Sequence, residues 1–280
     1  ESGDFLTYWN HFQNRYKYRD QGCDMNLLRL TKAAYYATIS QIDYQVGRIL
    51  DQLTIDGILD DTLILFTSDH GELLGDFNSY GKRSFLDSAS RIPLLVRYPE
   101  RFPAGIECEQ PVSLVDILPT CLNAVGLSTE PKHAGFDLAR VGSNKMKREP
   151  VIGQYSQGDR GLYALISSDF KYIYSAADRK EWLFRRLAQQ LEDRNLAGNP
   201  AFQTQLSNHR EYLINRFRKD GYDEPLDDKN WRQFPQPDPV PQTPDAWQLF
   251  QDGRSVYDDF PQGYSPRIDP IYRNQIPKGL

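Results

Sequence analysis

The chain has 280 residues, 39% of them apolar, and a net charge of -5 with acidic and basic residues interspersed. That length makes one large domain, or a domain with a smaller companion. The charge pattern lacks the basic footprint of a nucleic-acid binder, and no run approaches the ~18 apolar residues of a membrane span.

Residues 1–24 are polar and aromatic and read as an irregular surface segment. The opening Glu1-Ser2-Gly3-Asp4 is neither an initiator methionine nor a signal peptide, so removal of something upstream is expected. From about residue 26 to 53, Leu27, Leu30, Ala34, Ala37, Ile42, Val46, Ile49, Leu50 and Leu53 recur at helical spacing, with Gly57 as a stop. The run Thr62-Leu63-Ile64-Leu65-Phe66-Thr67 follows and ends in Ser68-Asp69-His70-Gly71. An uninterrupted apolar run reads as a strand buried on both faces of a parallel sheet. In such sheets the working residues sit just past the carboxyl ends of the strands. Taken alone, Asp69-His70 is equally well a capped turn or a pair of ligands.

The loop after His70 carries Gly71, Gly75 and Gly81, so it turns tightly before Lys82 and Arg83. Those two cations are either a solvated pair or a return of positive charge to the strand end. Residues 84–92 could form a helical turn, and 92–99 a second buried strand. Residues 111–120 read as a short strand feeding a helix that ends at Gly126, with Asp116 as a capping acid. Beyond a loop at 127–150 the period changes. Residues 151–156, 161–168, 170–175 and 182–184 read as short strands, with a turn at Ser168-Asp169, and 200–219 as a polar helix. From Gly221 the chain is rich in proline and aromatic residues, which suggests an extended segment wrapped over the body.

The ordered set Thr67-Ser68-Asp69-His70-Gly71-Glu72-Leu73-Leu74-Gly75-Asp76, Gly81-Lys82-Arg83-Ser84, Arg91-Ile92-Pro93-Leu94 and Val115-Asp116-Ile117-Leu118-Pro119-Thr120 resembles the sulfatase family within the alkaline phosphatase superfamily. Lys171-Tyr172-Ile173-Tyr174 and Asn195-Leu196-Ala197-Gly198-Asn199-Pro200 resemble that family's C-terminal subdomain, and the likeness runs in order over about residues 26–220. The resemblance implies an α/β fold: part of a mostly parallel sheet flanked by helices, plus a small antiparallel sheet with one helix. The corresponding division is 1–150 for the C-terminal part of the main domain, 151–220 for the small subdomain and 221–280 for the wrapping tail.

By the same resemblance, Asp69 and His70 bind a divalent metal and Lys82 contacts the ester's anionic group. Carboxylate-rich oxygen sites suit calcium, while the imidazole leaves room for manganese or zinc. Asp76, Asn78 and Arg83 on the loop, and Gln154 and Arg160 on the small sheet, are weaker substrate-binding candidates, each with a plain surface reading beside it. Two departures stand out. Phe77 lies where many relatives carry a second histidine. The Cys/Ser-x-Pro/Ala-x-Arg motif that yields the family's formylglycine nucleophile fits none of Cys23, Cys108 and Cys121. Those cysteines also lack metal-type spacing, and their odd count fits either a reduced compartment or one disulfide and a spare thiol.

The resemblance therefore implies a sulfuric-ester hydrolase, acting by analogy on a sulfated carbohydrate. Its nucleophile-bearing half would be joined covalently or present as a separate chain. The alternatives are a phosphate- or phosphonate-ester hydrolase of the same superfamily, or a non-catalytic fragment that binds sulfated saccharides. A periplasmic, secreted or lysosomal location is the family-based expectation.

Overall fold

The computed structural model of the chain describes Tyr8 and residues 25–130, 133–143, 145–186 and 191–236. The expectations for residues 1–24 and for the tail beyond 236 thus lie almost wholly outside the described residues, as does Cys23. Helix α1 (Met25–Ile55) realises the apolar periodicity of its segment, and Gly57 follows it at φ 71° in the left-handed turn foreseen there. Strand β1 (Ile64–Thr67), the short helix α2 (Asp87–Ser90) and strand β2 (Leu94–Arg97) follow.

The pairing of β1 corrects the sequence reading. β1 is antiparallel to β2, Thr67 opposite Leu94 and Ile64 opposite Arg97, and among the described residues the two form a sheet of their own with no parallel neighbour. Nor is the run buried on both faces: Phe66 and Leu95 are exposed. An apolar run specifies that a strand wants cover; it does not specify which strand supplies it or in which direction. The stripe of α1 is open too, with Leu30, Tyr36, Ile42 and Ile49 exposed to solvent. No helix among the described residues is long and apolar enough to cross a membrane.

A second correction concerns residues 111–116. Instead of a strand, the chain makes a 3-10 turn (Leu114–Asp116) that runs into helix α3 (Ile117–Ala124). Ser113 and Asp116 form a reciprocal capping box, each side chain serving the other's backbone N–H. The capping role read for Asp116 holds, and the acid does more. It is fully buried and also accepts hydrogen bonds from Phe136 N (2.9 Å) and from Arg148 Nε and Nη2 (2.9 Å each). Helix α4 (Leu138–Gly142) is capped by the Asp137 side chain.

The packed centre is the four-stranded antiparallel sheet β3 (Val151–Tyr155), β4 (Leu162–Ile166), β5 (Phe170–Ser175) and β6 (Lys180–Arg185), in sequential order. Alternation gives each face its own partner. Tyr163, Leu165, Tyr172, Tyr174 and Leu183 face helix α5 (Gln203–Lys219), which contributes Leu206, Leu213, Ile214 and Phe217. The residues between them, Leu162, Ala164, Ile173, Trp182 and Phe184, pack on Leu73, Leu86 and Ala89. That second face holds up the loop between His70 and Lys82. Strands β7 (Leu226–Asp227) and β8 (Asn230–Trp231) close the α5 side. There Trp231 stacks between Tyr174 and Tyr163, at ring-centroid distances of 4.5 and 5.4 Å, and donates Nε1–H to Tyr172 Oη at 2.7 Å. Cys108 and Cys121 are both free thiols.

Candidate functional site

The chain leaves β1 at Thr67, whose hydroxyl donates to Pro93 O, just before β2, at 2.8 Å. The next three residues form a tight local network. Ser68 Oγ donates to His70 O at 2.8 Å, and the His70 amide donates to Asp69 Oδ1 at 2.9 Å. That amide is the main reason the Asp69 carboxyl sits below the ordinary carboxylate range, although the side chain is 79% exposed. Asp69 is therefore a carboxylate facing solvent.

The imidazole of His70 is held in one tautomer. Nδ1 lies 2.8 Å from Gly71 O, which can only accept, so Nδ1 carries the proton. Nε2 lies 2.6 Å from Lys82 Nζ, an ammonium that can only donate, so Nε2 is left with its lone pair. Asp69 Oδ2 is 3.2 Å from the same nitrogen. Two lone-pair donors thus face one another with a single cation, the Lys82 ammonium, beside them.

Such a pair fits a divalent cation as two adjacent ligands, one carboxylate oxygen and one imidazole nitrogen whose tautomer is already fixed by its neighbour. It is not a complete site. Among the described residues no group of three or more histidine, cysteine or acidic side chains is placed to hold a metal ion.

Lys82 reaches His70 because the intervening loop is folded back on itself. Leu73 N donates to Gly81 O (2.9 Å) and Gly75 N to Ser79 O (2.9 Å). The Glu72 carboxylate accepts from the amides of Leu74 and Gly81, clamping the two ends of the loop together. Sequence reasoning gave Glu72 no role beyond its place in the motif. Gly75 and Gly81 take the positive φ values this path needs, 92° and 98°.

Gly71 is required for a different reason. A Cβ there would stand 2.1 Å from Ser88 O, and the Gly71 amide donates to Ala89 O at 2.8 Å. Gly71→Ala is expected to cost about 1–3 kcal/mol, because backbone on one side or the other must move. A urea-unfolding midpoint unchanged from wild type would show that the two segments are not in contact.

The other candidates are dispersed. Asp76 lies between Lys32 Nζ (3.6 Å) and Ser88 Oγ, which donates to it at 2.5 Å. Asn78 ends the 3-10 turn Asp76–Asn78. Phe77 packs on the hydrophobic cluster beneath the loop, so the residue that departs from the family pattern serves the core. Arg83 Nε donates to Tyr155 Oη at 3.0 Å, which brings an unforeseen phenol to the rim. Gln154 instead faces the α5 side and donates to Tyr222 Oη at 2.8 Å. The alternation of β3 explains the difference: Gly153 and Tyr155 face the site loop, where a Cβ on Gly153 would meet the Phe85 ring at 2.4 Å, while Gln154 points to the opposite face. Arg160 is exposed at the end of the 3-10 turn Gly158–Arg160.

Comparison with known proteins points to the same family as the ordered motif. Residues 5–127 match the Sulfatase family model. Over those residues, less than half of its length, the chain is similar to the sulfatase family. It is 38% identical over 178 residues to the choline-sulfatase of Rhizobium meliloti (strain 1021), a match that takes in 62% of this chain and 34% of the relative. Among solved structures it resembles BT4656 in complex with its substrate D-glucosamine-2-N,6-O-disulfate (TM-score 0.63, 26% identity, 68% of this chain and 41% of the other). It also resembles the phosphonate monoester hydrolase of Agrobacterium radiobacter (TM-score 0.59, 27% identity, 67% and 41%). The chain thus spans about a third of the curated relative and two-fifths of the solved ones. Sulfatases generally use a divalent metal.

Proposed function

We propose that this chain is part of a sulfuric-ester hydrolase acting on a sulfated carbohydrate. The convergence of Asp69, His70 and Lys82 at the carboxyl end of β1 carries the reading. In it, Asp69 and His70 are two ligands of a divalent metal, calcium first and manganese or zinc as alternatives. When bound, that ion supplies positive charge against the sulfate oxygens. Lys82 places its ammonium within hydrogen-bond distance of His70 Nε2, so an anionic ester entering there is neutralised by a fixed charge as sulfur is attacked and the S–O bond breaks. Gly71 O keeps the proton on Nδ1 and thereby keeps Nε2 available as a ligand. Arg83, oriented by Tyr155, adds a guanidinium at the rim, where the sulfated sugar's other anionic groups would lie. Asp76, Asn78, Gln154 and Arg160 take no assigned part in this mechanism.

The attacking group lies outside these 280 residues, in a further stretch of the same polypeptide or in a second chain, and the division at residues 150 and 220 belongs to the same reading. The open apolar faces of α1 and of the β1–β2 pair support this, since large aliphatic and aromatic side chains left in water forgo about 1.5–3 kcal/mol each. The carbohydrate assignment is supported by the likeness to BT4656 with its disulfated glucosamine substrate. A periplasmic, secreted or lysosomal location would suit such a substrate.

The likeness to a phosphonate monoester hydrolase, together with an imidazole in the ligand pair, favours one second reading: hydrolysis of phosphate or phosphonate esters. Turnover of an aryl sulfate against an aryl phosphodiester, with metal analysis of the purified protein, separates the two. The expected result is preference for the sulfate with bound calcium. Preference for the phosphodiester with manganese or zinc would replace the sulfatase assignment. Metal-dependent binding of a sulfated saccharide without any turnover would reduce the chain to a binding fragment.

A further inference from the structure

We propose that Lys171, a residue of the small sheet, is a positioning residue for the Asp69–His70–Lys82 site, acting through Asp87, Glu192 and the 85–91 segment. The proposal rests on the reading of that cluster as a sulfatase site.

Lys171 begins on the face of β5 that packs against the site loop, beside Ile173, and is 2% exposed. A leucine would fill this position at no electrostatic cost. A buried ammonium persists only when its donors are satisfied and its charge is matched. Here all three N–H groups have acceptors: Phe85 O at 2.7 Å, Glu192 Oε1 at 2.7 Å, and the Asp87 carboxylate. Glu192 is itself buried, and its other oxygen accepts the Asp87 amide at 2.5 Å. Burial pushes the Glu192 carboxyl upward, and the Lys171 ammonium is the principal charge opposing that. Arg91, 3.6 Å from the Asp87 carboxylate, flanks the cluster, and the half-buried Arg186 feels both acids.

Every group that satisfies Lys171 lies on residues 85–87 or is bonded to them. One and two residues after Asp87, within helix α2, the same segment reaches the site. Ala89 O accepts the Gly71 amide at 2.8 Å, immediately after His70. Ser88 O occupies the space a side chain at 71 would need, and Ser88 Oγ holds Asp76 across the loop. Gly71 O in turn fixes the His70 tautomer. A chain of hydrogen bonds, one helical turn and the backbone of Gly71 therefore links the buried ammonium to Nδ1 of the imidazole whose Nε2 lies beside Lys82. A two-carboxylate, one-lysine cluster demands one geometry, where an apolar contact would allow sliding.

Amide hydrogen exchange read by mass spectrometry on the whole chain tests this without reference to activity. In Lys171→Met, exchange across residues 68–75 should accelerate about tenfold or more, while α5 and β4 change by less than about twofold. Lys171→Arg, which keeps the charge, should restore much of the protection at 68–75. Should Lys171→Met fail to fold, Glu192→Gln, which keeps the lysine–Asp87 pair, should give the same local pattern at smaller amplitude. Equal acceleration in 68–75, β4 and α5, or none at 68–75, would reduce Lys171 to an ordinary packing residue and overturn the proposal. On an aryl sulfate, the complete enzyme carrying Lys171→Met should lose about tenfold or more in kcat with KM little changed, because the misplacement affects the transition state more than binding. An unchanged kcat would overturn the proposal. The site reading is checked separately: if Asp69→Asn leaves hydrolysis intact, that reading fails, whereas the exchange pattern at 68–75 stands or falls by itself.

Discussion

Asp69→Asn and Lys82→Ala should each lower aryl sulfate turnover by about 10²–10³-fold or more in the complete enzyme. They should do so with little change in stability. Asp69 is mostly exposed, and its contacts with the His70 amide and the Ser68 hydroxyl can be kept by an asparagine carbonyl, so the urea-unfolding midpoint should match wild type. What asparagine removes is the negative charge that makes the Asp69–His70 pair attractive to a divalent cation. Bound metal per protein should fall along with turnover in Asp69→Asn, while Lys82→Ala should keep its metal and lose turnover alone. Lys82→Arg should restore little. The ammonium is a point charge 2.6 Å from His70 Nε2, and a planar guanidinium cannot occupy that position with the same reach. Stoichiometric metal and near-normal turnover in both Asp69→Asn and Lys82→Ala would remove the basis for the proposed function.

Asp116→Ala should be the most damaging single change to the fold, costing about 3–5 kcal/mol. Its carboxylate is fully buried and accepts four hydrogen bonds: from Ser113 N (2.8 Å), Phe136 N (2.9 Å) and two guanidinium nitrogens of Arg148. Arg148 has a side chain only 4% exposed and lies with its guanidinium carbon 5.0 Å from the centroid of the Phe136 ring. Its charge would be left without a counter-ion. Three stretches distant in sequence are tied at this one point: the start of α3, the 133–137 segment and the approach to β3. Thr120 reinforces the junction, donating to Asp116 O at 2.7 Å and accepting from Leu138 N at 2.9 Å. Urea unfolding followed by circular dichroism measures the loss. The double change Asp116→Asn with Arg148→Met should be less costly than the sum of its single changes, because it removes both charges. A loss below about 1 kcal/mol for Asp116→Ala would mean that the pair is solvated in solution.

Local patterns settled much of the fold. The 3.6-residue period over 26–53 and the polar helix after residue 200 appear as α1 and α5, and the change to short alternating runs after residue 150 appears as β3 to β6. The hairpin turn at Ser168-Asp169 lies where its residue types placed it, between β4 and β5. Segment 111–116 reads as a strand, against the structure, because β-branched and apolar residues at helix entry look like one. The Ser113–Asp116 capping box, three residues apart, was the signal available for the correct reading. The sequence points to Gln154, whereas Tyr155 meets the site loop, because the face a side chain occupies depends on strand register, which residue type does not specify. Lys171 served only as part of a family motif, because a buried lysine cannot be told from a solvated one until its carboxylates, 84 and 21 residues away, are seen beside it.

By itself, then, the sequence determined most of the segments that are helix or strand, and its ordered motif singled out Asp69, His70 and Lys82, on which the proposed function rests. Those depend on period, turn residues and a short ordered motif, all local in the chain. Only the tertiary structure decided that β1 runs antiparallel to β2, that Glu72 clamps the loop so that Lys82 meets His70, and that the small sheet reaches the site through Lys171. Pairing direction, loop closure and a buried charge cluster are set by contacts between residues far apart in sequence, whose free energy exists only once the chain has brought them together.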